Sequence, residues 1–501
     1  MKKILTILCL FCLSLSMQAR PQFGERPRLV VGIVVDQMRW DYLSRYYDRF
    51  GDGGFRRLID RGYSCDNCLI SYLPTITAIG HASIYTGTTP AFHGICGNNF
   101  YIDGCKTYCT GDTTVQTVGA TGSKGQMSPR NMLSTTIGDQ LRLHTDFRSK
   151  VVGVSYKDRA AILPAGHSAN AAYWIDTNNL CFVSSTYYMT ELPDYARRVN
   201  ASIAKNKEAQ KAGSRIGYTP LCGTLTTDMA IAALQGEALG KGEATDMLCV
   251  SYSQTDVIGH EWGTRGERTD EAYLQLDRDI ARLLQALDEQ VGKDGYLLFL
   301  TADHGASHNW KFMNEHKLPA GPIYIDSLTN DLNNYLAERV GVTKPVVGDI
   351  MDYRIFLNHR SIEEQGLDLQ SVKDAVMDCL RTYPGIVTVV DYERARISAL
   401  PQLLLDRIIM GYHPRRSGDI IFIPEPQRYS WWESLSPTHT THGEWNPYDA
   451  HIPLLFYGWH ITPGATSREV HINDIAPTIC QMLHIQQTNA CSGEAITEVT
   501  Q

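Results

Sequence analysis

The chain lacks low-complexity tracts, internal repeats and any long flexible linker, so neither an extended repeat array nor a string of tethered modules fits its 501 residues. It also lacks an excess of positive charge. Against 46 Lys and Arg stand 54 Asp and Glu, a formal net charge of −8. That balance offers no global footprint for nucleic acid or an anionic membrane. Long apolar runs are missing too, apart from Ile4 to Met17, which is too short for a comfortable membrane span. This run follows Met1-Lys2-Lys3 and precedes Gln18-Ala19, and it reads as a signal peptide over residues 1–19, cleaved after Ala19. Cys12 lacks the small preceding residues that a lipidated cysteine needs, so no stable membrane anchor is expected and the mature chain is read as periplasmic or secreted. Loss of Lys2 and Lys3 takes the net charge to −10.

No second cysteine pair completes a zinc-ribbon spacing around Cys65-x-x-Cys68 or Cys105-x-x-x-Cys109, and each is a candidate local disulfide in an oxidising compartment, with the connectivity left open. Of the 13 cysteines, Cys9 and Cys12 leave with the signal peptide. The eleven that remain are an odd number, so at least one thiol is free; Cys96 is read as a packed thiol and not as a nucleophile.

What the chain has is a large apolar share, 43% against 20% charged, enough for a sizeable core. Strand and helix patterns alternate. Buried-strand runs at Leu29–Val35, Lys150–Ser155, Met247–Ser253 and Tyr296–Thr301 are interleaved with helical periodicity, clearest at Tyr273, Leu276, Ile280, Leu283, Leu284 and Leu287. This pattern predicts an α/β fold with a mainly parallel sheet between helices. Residues 168–235 and 312–435 hold no candidate ligand and are read as insertions capping the sheet's carboxyl edge. Ile452–Gly458 is expected to return as a core strand, and Ile472–Leu483 as a closing helix.

The candidate chemistry sits at the ends of these strands. Asp36 closes the first run, Asp303-His304-Gly305 follows Tyr296–Thr301, and Asp256-x-x-x-His260 follows the run ending at Ser253. Open α/β sheets place their chemistry at that edge. An aspartate after a strand is often only a helix cap. Two adjacent ligand types followed by a glycine suit a metal rim better, because a cap needs one oxygen. Asp256 and His260, four apart, share a face if the chain turns helical there. His81, His93, His167 and His308 are read as structural or as supporting the ligands.

These residues, with Thr77 and with His442 in Thr441-His442-Gly443, resemble the alkaline phosphatase superfamily, and in particular its phosphate-irrepressible, threonine-nucleophile type. The resemblance runs from about Leu29 to the terminal helix, so a catalytic domain is expected over residues 28–488. It implies two Zn2+ ions: one held by Asp256, His260 and His442, the other by Asp36, Thr77, Asp303 and His304. The first is expected to stabilise the leaving oxygen and then activate water, the second to activate Thr77. Thr77 is chosen as nucleophile because Ala78 after it favours a helix and Gly80 leaves room for a phosphate at the helix N-terminus.

Asn98, in His93–Asn99, lies where related enzymes carry a phosphoryl-oxygen donor; Asn99 is the second choice. In Tyr156-Lys157-Asp158-Arg159 both cations would point one way if the stretch is extended, and two cations suit the doubly charged monoester. The expectation is a phosphomonoesterase acting through a phosphothreonine on small-molecule monoesters, monomeric, with any basic funnel local to the site. The alternative is a phosphodiesterase or phosphonate-ester hydrolase of the same superfamily. No Cys-x-Pro-x-Arg stretch surrounds Thr77, which argues against a sulfatase.

Overall fold

The computed structural model describes residues 26–431 and 436–500, so the signal-peptide reading over residues 1–19 falls outside the described residues. In chain order, the elements that position the site are strand β1 (Leu29–Val35), helix α1 (Thr77–Thr86), the hairpin β2 (Asn99–Ile102) and β3 (Cys105–Tyr108), strand β4 (Val151–Ser155) and helix α2 (Asp158–Ala165). There follow β5 (Ala171–Asp176), β6 (Cys181–Ser185), β7 (Asp246–Tyr252), helices α3 (Gln254–Trp262) and α4 (Glu267–Val291), and β8 (Tyr296–Thr301). Four strands of a second sheet come next, β9 (Val347–Met351), β10 (Arg354–Leu357), β11 (Ile386–Asp391) and β12 (Ile420–Pro424), before the chain returns as β13 (Leu454–Gly458).

The main sheet has ten strands, in the order Gly464–Thr466, Tyr63–Cys65, β13, β8, β1, β7, β4, β5, β6, Thr117–Val118. Its centre is parallel, as expected from the apolar runs. β1 pairs parallel with β7 and β8, β7 with β4, and β4 with β5. Every residue of β1, β7 and β8 is buried. Helices cover both faces, so a continuous Val, Ile and Leu run replaces the alternation of a half-exposed strand. Fully burying each such side chain contributes about 1.5–3 kcal/mol, which makes these strands the fixed part of the molecule. Ile452–Gly458 does return to the core, but as an antiparallel neighbour of β8.

The two expected caps have different fates. Residues 168–235 do not form a separate layer: β5 and β6 extend the main sheet, and the helix Leu221–Gly236 packs on α4 and β7. Tyr173, Ile175, Phe182, Leu225, Met229 and Leu234 of this stretch are buried in the main core, which is why it belongs to the sheet. Of the second stretch, the described residues 312–431 build the second sheet, in the order β9-β10-β12-β11, with a core of its own containing Leu332, Leu336, Ile355, Val372, Val376 and Phe422.

Neither candidate disulfide forms, since all eleven described cysteines are free. Cys105 opens strand β3, and Cys109 stands just past its end. An extended segment rises about 3.3 Å per residue, so four residues place the two Cα atoms roughly 13 Å apart, against the less than 7 Å that a disulfide needs. Cys65 and Cys68 pair into two different sheets.

Candidate functional site

Register brings the candidate residues together. Val35 of β1 lies opposite Tyr252 of β7, and Val34 opposite Thr301 of β8, so three parallel strands end at one level. Asp36 emerges there, its N–H donating to the Tyr252 carbonyl at 3.1 Å. Asp303 and His304 follow β8. Asp256 and His260 lie on one face of α3, as their spacing predicts, and Thr255 ties that helix to β1 by donating to the Asp36 carbonyl at 2.6 Å.

Two clusters result, Asp36 with Asp303 and His304, and Asp256 with His260 and His442; within each, one ligand atom per residue lies within 4.8 Å of the others. In the first, His304 Nε2 is 3.6 Å from Asp36 Oδ1 and 3.4 Å from Asp303 Oδ2. In the second, Asp256 Oδ1 is 3.0 Å from His260 Nε2 and 3.7 Å from His442 Nε2.

Backbone carbonyls fix the three rings. A carbonyl can only accept, so each Nδ1 carries the proton: His304 donates to Gly305 at 2.9 Å, His260 to Thr440 at 2.8 Å and His442 to Thr75 at 2.7 Å. Each Nε2 therefore presents a lone pair to a carboxylate oxygen. The Asp36 Oδ1 and Asp303 Oδ2 atoms are buried with no hydrogen-bond partner. Lone pairs facing one another at these distances need a proton or a metal between them. Donors about 2.0 Å from a tetrahedral zinc stand roughly 3.3 Å apart, so the donor set fits zinc.

Electrostatics agree. Burial, reinforced by the Asp303 charge, pushes the Asp36 carboxyl well above its usual range. Burial also lowers His304, and lowers His442 further with help from His304 and His260, leaving neutral rings of the kind a metal takes. At His260 burial acts downward, but the Asp256 carboxylate outweighs it and raises the ring's pKa. His260 is also the exposed ligand, with 29% of its side chain open to solvent.

Thr77 is the first residue of α1, and its hydroxyl lies 3.2 Å from His304 Nε2. It does not cap the helix; the N-cap is Ile76, without a side-chain bond. Thr75 is occupied elsewhere, donating to the Glu444 carbonyl at 2.9 Å and accepting from the Gly443 N–H at 3.1 Å. Gly80 packs closely against the other side of the site. A Cβ there would stand 2.4 Å from the Asp303 carbonyl oxygen, so this glycine lets α1 approach the backbone that carries Asp303 and His304.

Asn98 Oδ1 accepts from the Ala78 N–H at 3.3 Å, which leaves its amide protons free to donate beside Thr77. Asn99 belongs to β2 and pairs with Tyr108. Lys157 is buried, its ammonium 2.7 Å from Asp36 Oδ2 and 2.5 Å from Asp256 Oδ2, one carboxylate from each cluster. The extended Lys-Asp-Arg stretch is corrected. Only Lys157 is extended, and α2 begins at Asp158, so Arg159 is helical and does not share a strand face with Lys157. Tyr108 joins the two helical residues instead, donating to Asp158 at 2.7 Å and accepting from Arg159 at 3.0 Å.

Sequence reasoning missed Tyr108 and also Gln37. With φ +65°, Gln37 sends its backbone N–H to Asp303 Oδ1 at 3.2 Å and its side chain to Asp256 Oδ1 at 2.6 Å, linking the clusters. Its position directly after Asp36 was the one available signal. Of the other histidines, His81 supports the site, with Nδ1 donating to the Thr77 carbonyl at 2.9 Å and Nε2 accepting from Ser251 at 2.8 Å. His93, His167 and His308 bond elsewhere.

The family model that matches is described as type I phosphodiesterase / nucleotide pyrophosphatase and spans residues 30–445. A relative from Myroides odoratus named calcium-transporting ATPase is 43% identical, covering 99% of this chain and 98% of its own. Alkaline phosphatase PafA from Elizabethkingia meningoseptica is 42% identical, covering 95% and 94%. The crystal structure of wild-type PafA matches with a TM-score of 0.91 at 41% identity, over 95% of this chain and 100% of that one. A PafA variant with one threonine, one asparagine, one lysine and one arginine replaced matches with a TM-score of 0.90 at 40% identity, over 95% and 99%.

Proposed function

The chain belongs to the type I phosphodiesterase / nucleotide pyrophosphatase family, within the alkaline phosphatase superfamily, and we propose that it is an alkaline phosphatase, a periplasmic phosphomonoesterase that works through a phosphothreonine at Thr77 with two zinc ions. The observation that carries this reading is the placement of Thr77 Oγ1, at a helix N-terminus and 3.2 Å from His304 Nε2, beside two clusters bridged by the Lys157 ammonium. The replaced threonine and asparagine of the PafA variant stand 21 positions apart, as do Thr77 and Asn98, and its lysine and arginine two apart, as do Lys157 and Arg159. That correspondence supports all four assignments.

Asp36, Asp303, His304 and Thr77 would hold one ion, and Asp256, His260 and His442 the other. Bound there, zinc supplies Lewis acidity to the threonine hydroxyl, the leaving oxygen and the attacking water. Thr77 Oγ1 attacks phosphorus in line, the ester oxygen departs, and water then cleaves the Thr77–phosphate bond. The amide of Asn98 and the Lys157 and Arg159 cations hold the non-bridging oxygens, where charge-assisted contacts are strongest in a buried site. Two cations match the two charges of a monoester; a diester carries one charge and a second substituent to accommodate.

A panel of phosphate monoesters, phosphate diesters and sulfate esters tests the reading. Monoesters are expected to show the highest kcat/KM, and a preference for diesters would overturn the proposal in favour of the phosphodiesterase alternative.

A further inference from the structure

Strands β9 and β10 of the second sheet pair antiparallel, with Met351 opposite Arg354. The two residues between them, Asp352 and Tyr353, have φ of 50° and 64°. Two successive left-handed residues make a tight two-residue hairpin turn. This tip reaches two loops of the site.

On one side Arg354 is fully buried, its Nη1 donating to the Cys96 carbonyl at 2.6 Å and its Nη2 to Asp352 Oδ2 at 2.9 Å. The backbone presses close: a Cβ on Gly97 would stand 2.8 Å from Arg354 Nη2. The next residue is Asn98. On the other side Tyr353, 2% exposed, lies where a Cβ on Gly443 would be 2.8 Å from its ring, one residue from His442.

A buried guanidinium is costly, and replacing a buried ion pair by apolar residues is often neutral or stabilising. Arg354 Nε has no partner, so the group is not placed to satisfy all of its own donors. What it does hold is the carbonyl two residues before Asn98. We propose that Arg354 is a positioning residue for the reaction, setting the Cys96–Asn98 backbone and through it the Asn98 amide that meets the phosphoryl group. The hairpin tip thereby ties the second sheet to the catalytic rim. This inference rests on the reading of Asn98 as a phosphoryl-oxygen donor.

The test compares Arg354→Met, Asn98→Ala and the double variant in the zinc-loaded protein, with metal content measured alongside. Arg354→Met is expected to keep both metals, to lower monoester kcat/KM by about 10- to 100-fold and to weaken inhibition by inorganic phosphate by a similar factor. In the Asn98→Ala background the same substitution should add less than about twofold, because the group it positions is gone. Arg354→Lys, which keeps a donor, should recover part of the loss.

An equal loss with and without Asn98, or no loss at all, would overturn the positioning role while leaving the proposed reaction intact. Unchanged turnover in Asn98→Ala alone would instead remove Asn98 from the site and this inference with it. If Arg354→Met does not accumulate, Gly97→Ala disturbs the same contact from the other side. The same non-additivity with Asn98→Ala is then expected, and additive losses overturn the proposal.

Discussion

His304 and His442 stack face to face, with ring centroids 3.5 Å apart and planes 14° from parallel, although each belongs to a different cluster. Two imidazoles that close cannot both carry an extra proton without strong repulsion. With each Nδ1 committed to a carbonyl, the paired rings offer two Nε2 lone pairs side by side. The two clusters that share this stack, Asp36 with Asp303 and His304 and Asp256 with His260 and His442, are the residues that would hold the proposed ions beside one phosphoryl group.

The stack gives the first prediction. His442→Ala or Asp256→Asn is expected to lower bound zinc from two ions per chain to one and to reduce monoester turnover by at least about 10²-fold. Elemental analysis and an activity assay on the same preparation check this. A variant that keeps both metals and full turnover removes that residue from the ligand set.

Thr77→Ser keeps a hydroxyl at the same place and is expected to retain activity, whereas Thr77→Ala should leave little. Acid quenching during turnover, followed by peptide mapping, should find the phosphoryl group on Thr77. Thr75 is committed to Glu444 and Gly443, so finding the label there would mean that the loop rearranges and that the nucleophile is misassigned.

Much of this site was legible in the sequence because strand ends are legible. Asp36, Asp303-His304 and Asp256-x-x-x-His260 each follow an apolar run, and in-register parallel pairing carries that one-dimensional pattern onto a single rim. The residues that were missed depend on backbone geometry that the run pattern does not encode. Gln37 reaches both clusters because its φ is positive and because Gly259 makes room, a Cβ there standing 2.0 Å from Gln37 Oε1. Tyr108 reaches Arg159 from a hairpin whose course the sequence does not reveal. The Lys-Asp-Arg stretch misled because alternation was taken for a strand, while Asp158 in fact opens a helix, where an acidic first turn is favoured. Residues 168–235 misled because strands without ligands look like an insertion until they are seen to pair with β4.

A third prediction concerns acid stability. His93 is fully buried, with Nδ1 accepting from the Ile95 N–H at 3.1 Å and Nε2–H donating to Ser83 at 3.0 Å. Burial, and then the nearby His413 and Arg416, lower its pKa from 6.5 to about 3. The folded value lies below the unfolded one, so the unfolded chain binds the extra proton between them. The contribution to stability is fully present above about pH 6.5 and is lost as the pH falls towards 3, at up to about 1.4 kcal/mol per pH unit. Urea midpoints from pH 7 to 4, measured on chelated protein so that acid release of zinc plays no part, should fall less steeply for His93→Gln than for the wild type. Parallel slopes would show that His93 protonates freely in the fold.

The last prediction separates the monoester reading from its diesterase alternative. Burial acts to lower the Lys157 pKa, but the Asp256 and Asp36 carboxylates outweigh it, so the ammonium is held charged between the clusters. Zinc bound to those carboxylates would compete for their oxygens and leave the ammonium to the phosphoryl group. Arg159 is steadied by Tyr108 beside it. If both cations neutralise a dianionic monoester, Lys157→Ala with Arg159→Ala should reduce monoester kcat/KM on the order of 10³-fold or more, since each charge-assisted contact contributes a few kcal/mol in a water-poor site. Diester hydrolysis should fall much less, because its phosphoryl group presents less charge to that side of the site. The double variant must first be shown to hold both zinc ions, since misfolding would depress both reactions alike. Equal losses on the two substrate classes would mean that these cations orient any phosphoryl group without selecting for charge, and the preference for monoesters would then have to come from steric exclusion of the second ester substituent.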